Sequence, residues 1–116
     1  MATIKSFTDL QQSNELAEIL PLESADMFLA MNGTIPVMSK YIDDGFVTAD
    51  DTAIPCWSLA ALLSVLDFPS LTQNREDEWE VHVFDHDNDD YIEKTASNPI
   101  DACYGMIICL NELKLL

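Results

Sequence analysis

The segment from Asn98 to Leu113, NPIDACYGMIICLNEL, constrains this chain more than any other. Asn98 suits an N-cap, Pro99 takes the first helical position where its missing N–H costs nothing, and Asp101 occupies the third position of a capping-box-like start. At about 100° per residue, Ala102, Cys103, Met106, Ile107, Cys109, Leu110 and Leu113 cover nearly half the circumference. Ile108 and Tyr104 carry apolar character further round, leaving only a strip through Asp101, Gly105 and Glu112 polar or bare. A helix this apolar is expected to be the interior scaffold on which the rest of a small domain packs.

The segments before it are expected to supply that packing. Thr8 and Gln11 match a T-x-x-Q capping box, so a first helix is expected to run to about Ile19, where Pro21 stops it. A second helix is expected over Leu22–Met31, closed by Asn32-Gly33. Ile35 to Ile42 reads as a strand with Pro36 at an edge, Asp43-Asp44-Gly45 as a turn, and Phe46-Val47-Thr48 as a returning strand. Ile54-Pro55-Cys56-Trp57 is expected to open a third helix, with Cys56, Leu59, Leu62, Leu63 and Leu66 on one face and Trp57 opposite them. Ser70 to Asp77 shows no strong pattern and reads as a surface loop.

Trp79 to Phe84 alternates with the period of a half-buried strand, and Asp85 to Asp90 turns the chain into a partner strand over Tyr91–Thr95. If Phe84 faces Tyr91, Val83 lies by Ile92 and His82 by Glu93. The order helix, helix, hairpin, helix, hairpin, helix predicts a single α+β domain over residues 1–116. Its three- or four-stranded antiparallel sheet would pack against the buried C-terminal helix, with helices at the N-terminus.

Charge narrows the partners. The chain carries 21 acidic against 5 basic side chains, net -16, with a 48% hydrophobic content that argues against disorder. Direct binding to nucleic acid or anionic lipid is disfavoured, and a basic protein partner is favoured. The three cysteines include no C-x-x-C pair and fit buried free thiols of a reducing cytoplasm. No run approaches the ~20 apolar residues of a membrane span, so a soluble, cytoplasmic protein is expected.

The candidate sites are few. Asp85, Asp87 and Asp89 have the 1, 3, 5 spacing of a calcium loop, but Asp90 stands where glycine is needed and Ala96 where the bidentate glutamate belongs, so a solvated hairpin tip is expected. His82 and His86, with Glu80, Asp85 and Glu93 close by on the hairpin, are the residue types of a transition-metal site, but two histidines four apart across a strand end do not point together. His82 and Glu93 are expected to form an exposed cross-strand pair, and no metal, cofactor or catalytic residue is expected. Cys56 and Cys103 fall near predicted helix starts but on apolar faces, as core thiols do. The expected contact surface is therefore Trp57 together with Glu80, His82, Phe84, Asp85, Asp87, Asp89, Asp90, Tyr91 and Glu93 of the acidic hairpin. For the Trp57 ring itself, burial under Phe46 or the Ser70 loop is favoured over exposure to a partner.

The motifs Ala25-Asp26-Met27, Ile54-Pro55-Cys56-Trp57-Ser58-Leu59 and Asn98-Pro99-Ile100-Asp101-Ala102-Cys103 with Met106-Ile107 form a set. With them the chain, from about Leu20 onward, resembles small uncharacterised proteins of prophage or mobile-element regions in Bacteroides and their relatives. The resemblance implies a bacterial cytoplasm and a phage-derived accessory role; it carries no activity and no catalytic residue. The expected function is a non-catalytic protein–protein interaction domain. The alternatives are an acidic nucleic-acid mimic, since nine carboxylates lie between Glu76 and Glu93 without a lysine or arginine, and an antitoxin of the HicB type. An enzyme ranks last.

Overall fold

The terminal helix organises the fold. A computed structural model describes residues 6–32, 35–39 and 54–116. Their order is α1 (Leu10–Ala17), a 3-10 turn (Leu22–Ser24), β1 (Met27–Asn32), β2 (Ile35–Ser39), β3 (Ile54–Cys56), α2 (Leu59–Val65), β4 (Ser70–Gln73), β5 (Trp79–Asp85), β6 (Asp90–Ala96) and α3 (Pro99–Glu112). The architecture is α+β. The strands form two three-stranded antiparallel sheets, ordered β2-β1-β3 and β4-β5-β6, in place of the one sheet expected.

α3 begins as its residues dictate. The Asn98 side chain accepts from the Asp101 amide at 2.8 Å and donates to the Asp101 carboxylate at 2.7 Å. Ile100, Ala102, Cys103, Met106, Ile107 and Leu110 are buried, whereas Cys109 is half-buried and Leu113 lies outside the stripe, 53% exposed. The buried face meets Val81 and Val83 of β5 and the apolar sides of α1 and α2 in one continuous core. Gly105 interrupts the helix for no steric reason, since a Cβ there would meet nothing within 4 Å. Gly105→Ala is therefore expected to stabilise the protein by about 0.5–1 kcal/mol, by restricting the unfolded chain. A urea midpoint unchanged or lowered by this substitution would contradict that placement.

Three local expectations are corrected. First, the capping box of α1 is set by Asp9, not Thr8. Asp9 accepts from the Gln12 amide at 2.8 Å, and the Gln12 side chain accepts from the Asp9 amide at 3.1 Å. Thr8 is fully buried and bound to Trp57, with Thr8 N–H donating to the Trp57 carbonyl at 3.0 Å and Trp57 N–H to Thr8 Oγ1 at 3.1 Å.

Second, Leu22–Met31 is not a helix. The 3-10 turn ends at Ser24, and Met27–Asn32 is the central strand of its sheet, paired with both β2 and β3. Met27-Phe28-Leu29-Ala30 is an apolar run that suits either state, and two ladders of strand partners decide it.

Third, Pro55 does not open a helix. It sits opposite Phe28 in the edge strand β3, where a residue without an N–H is tolerated. α2 starts four residues later, with Ser58 as N-cap accepting from the Ala61 amide at 3.2 Å. Ser58 is fixed in turn by Asp26, which accepts from both its amide, at 2.9 Å, and its hydroxyl.

The segment read as a loop at Ser70 to Asp77 contains β4, whose polar S-L-T-Q pattern turns only Leu71 toward the core. The β5–β6 register is the expected one, with Phe84 opposite Tyr91, Val83 opposite Ile92 and His82 opposite Glu93. The Asp43-Asp44-Gly45 turn and the Phe46–Thr48 strand lie outside the described residues. Among those residues, no helix is long and apolar enough to cross a membrane.

Candidate functional site

The β4-β5-β6 sheet gives its inner face to α3 and its outer face to solvent. Period-two alternation puts Val81 and Val83 inward and Glu80, His82 and Phe84 outward, and the register adds Tyr91, Glu93 and Thr95 to the outward set. Phe84 and Tyr91 stack with ring centroids 5.1 Å apart, and Phe84 lies 4.9 Å from the His86 ring at a 51° tilt. Tyr91 is nevertheless 67% exposed.

The segment before β4 adds a residue that sequence reasoning did not single out. Phe68 is 89% exposed, the highest value among the large apolar side chains described, and has φ 49°. Left-handed geometry in a bulky residue costs of order 1 kcal/mol and persists only where its surroundings impose it, as they do at binding sites. Asp67 lies 3.9 Å from His86, so this segment runs beside the hairpin tip. The signal available in the sequence was the Phe68-Pro69 pair, an aromatic immediately before a chain-bending proline.

Next along the face is a polar group. His82 Nε2 is 2.8 Å from Glu93 Oε1 and 3.8 Å from Glu80 Oε1. The side chains are 29%, 52% and 24% exposed for His82, Glu93 and Glu80. The other Glu80 oxygen accepts from the Asn74 side-chain amide at 2.9 Å. Asn74 is itself anchored, its side-chain carbonyl accepting from the amides of Glu76 and Glu78. Glu80, His82 and Glu93 thus present three potential metal ligands within 4.8 Å of one another. His86 stands apart at the tip, as its strand position requires.

Ser70 of β4 faces His82 of β5, so the row Ser70, His82, Glu93 holds the residue types of a hydrolase triad. However, Nε2 of the ring is turned to the carboxylate, and Gly33, Gly45 and Gly105 are all remote from Ser70 in sequence.

Two of the expected contact residues are corrected. Trp57 is fully buried, because it precedes α2 rather than lying on that helix's outer side, and its indole N–H donates to Ser24 Oγ at 3.0 Å. Asp85 is also buried, and its carboxylate closes the turn by accepting from the amides of Asp87 and Asn88 and from the Asn88 side chain. The Asn88 side-chain bond, assisted by the two backbone bonds, holds the Asp85 carboxyl below the usual range. With both oxygens so engaged, Asp85 is a turn-former rather than the first ligand of a calcium loop. Asp87, Asp89 and Asp90 are exposed around it.

Burial pushes the Cys56 thiol up to about 12, with Asp26 adding to the effect, and pushes the Cys103 thiol up to about 11. Both residues are fully buried and remain protonated at neutral pH. A groove of about 810 Å³ lies between the 3-10 turn and α2, floored by Leu20, Ala25, Ala61 and Val65 and edged by Glu23 and Asp26. No histidine or cysteine lines it.

No protein-family model matches the chain, and no significant match is found among curated proteins or among solved structures.

Proposed function

We propose that the protein is a non-catalytic interaction domain that docks a basic protein partner through the outer face of β4-β5-β6. The observation that carries this reading is the two exposed rings Phe68 and Tyr91, the latter stacked on the half-buried Phe84, with the carboxylates Asp87, Asp89, Asp90 and Glu93 on the same hairpin as that stack. Interfaces concentrate their energy in a few aromatic anchors surrounded by polar groups, and a complementary charged rim speeds encounter and fixes orientation. A net charge of -16 selects a partner of the opposite sign. The protonated, enclosed thiols of Cys56 and Cys103 favour a binding role over thiol chemistry.

A phage-derived accessory role in a bacterial cytoplasm, as the resemblance implies, is consistent with such a domain. The nucleic-acid-mimic reading has its own support in the three exposed aspartates at the hairpin tip. It differs in predicting that carboxylates, and not rings, dominate.

Capture from a bacterial lysate distinguishes them. The wild type is expected to retain a basic protein that the Phe68→Ser/Tyr91→Ser double variant retains at least tenfold less well, about 1.4 kcal/mol or more. Asp87→Asn/Asp89→Asn should weaken capture mainly at low salt. Equal retention by the aromatic variant would overturn the docking face. If that result came with steep salt sensitivity and competition by DNA, the mimic would take its place.

A further inference from the structure

We propose that Glu80, His82 and Glu93 bind a divalent first-row transition-metal ion on the outer face of β5 and β6. Of the group weighed from the sequence, the ligand set keeps Glu80, His82 and Glu93 and omits His86 and Asp85. It comprises two residues two apart on one strand, hence on the same face, and a third directly across the ladder from His82.

The spacing suits a metal. Tetrahedral ligands at 2.0–2.2 Å from an ion stand about 3.4 Å from each other. His82 Nε2 lies 2.8 Å from Glu93 Oε1 and 3.8 Å from Glu80 Oε1, so shifts of about half an ångström would set both at that separation. A bound ion would replace the His82–Glu93 hydrogen bond, and any proton on Nε2 would leave to solvent as the metal enters.

Asn74 supplies the outer support that metal sites characteristically have. Its amide holds the distal oxygen of Glu80, while its own carbonyl is pinned by two backbone amides, so the proximal Glu80 oxygen is aimed before any ion arrives. Two carboxylates neutralise a divalent cation. The imidazole selects a d-block ion over calcium or magnesium, which favour all-oxygen shells. Three protein ligands leave a fourth position for water or for a side chain of a partner. The proposal rests on strand register, ligand spacing and the Asn74 brace and uses none of the aromatic rings, so its failure would leave the docking face intact, and the reverse also holds.

The test uses the whole chain with Zn²⁺ in calorimetry and Co²⁺ in spectroscopy. One Zn²⁺ per chain is expected, with affinity falling at least tenfold in His82→Ala and in Glu93→Gln. Asp87→Asn/Asp89→Asn, which removes the same sign of charge at the hairpin tip, should leave it unchanged. Unaltered affinity in His82→Ala, or equal competition by Mg²⁺, would mean diffuse binding to carboxylates and would overturn the site. A second readout needs no variant: Co²⁺ added to the wild type should shift the His82 ring resonances at the first equivalent and spare those of His86. The opposite order would also overturn the site.

Discussion

Trp57→Ala is expected to cost about 3–5 kcal/mol, a large part of the 5–15 kcal/mol that holds a domain of this size together. The ring is fully buried in the core shared by α1, α2 and α3. Its backbone also exchanges two hydrogen bonds with Thr8, and Thr8 Oγ1 in turn lies 2.8 Å from Ser13 Oγ. A cavity here therefore loosens the attachment of α1 as well as the core. Trp57→Phe separates the two contributions, since it keeps most of the volume and removes only the N–H given to Ser24. Because Ser24 Oγ still donates to the Pro21 carbonyl at 2.6 Å, that variant should lose only about 1–2 kcal/mol. Urea unfolding followed by circular dichroism gives both values. A loss under about 1 kcal/mol for alanine would show that the ring does not pack as described.

Ile107→Ala is expected to cost about 2–5 kcal/mol and Ile107→Val about 0.5–1.5 kcal/mol, a graded pair that reports on packing without introducing a polar group. Ile107 lies midway along the buried stripe of α3, between Cys103 and Leu110, with no exposed surface. For a chain of this length each kcal/mol lowers the melting temperature by roughly 3–6 °C, so the alanine variant should show a large shift. If Ile107→Ala and an alanine at the exposed Leu113 melted alike, α3 would not be the scaffold of the fold.

The parts of this architecture that were legible in the sequence share a cause: local chemistry and tertiary demand agree there. Asn98-Pro99 starts α3 in any context, and the alternation from Trp79 onward admits only one register that buries Val81 and Val83. Where the two diverge, the pattern misleads. Met27 to Ala30 carries no period, and only its ladders, to β2 directly after it and to the more distant β3, make it a strand. Pro55 offers a helix-start signal that the edge of a sheet uses equally well, and misplacing that start by four residues put Trp57 on a surface it does not occupy.

The candidate site divides in the same way. Register alone brought His82 to Glu93. The brace from Asn74 to Glu80 depends on a turn that closes through side-chain bonds, and the exposed Phe68 sits at a left-handed backbone position. Neither leaves a periodic trace. Asp85 illustrates the opposite error: an acidic residue in an acidic run looks outward-facing until the turn's unpaired amides are counted.

The polar seam between the first and last helices bears on how the chain reaches its native state. Gln12 donates to Asp101 at 2.7 Å and Tyr104 donates to Glu15, each across 89 residues. During synthesis α1 emerges early and can meet β3, but its seam with α3 must wait while every intervening strand is made. Distant closures of this kind slow folding, and they make it end in a single concerted step. A nascent chain halted just before Asn98 would thus hold its first helix only through Thr8 and Trp57 and the neighbouring β3, with the whole hydrophobic interior lacking its axis.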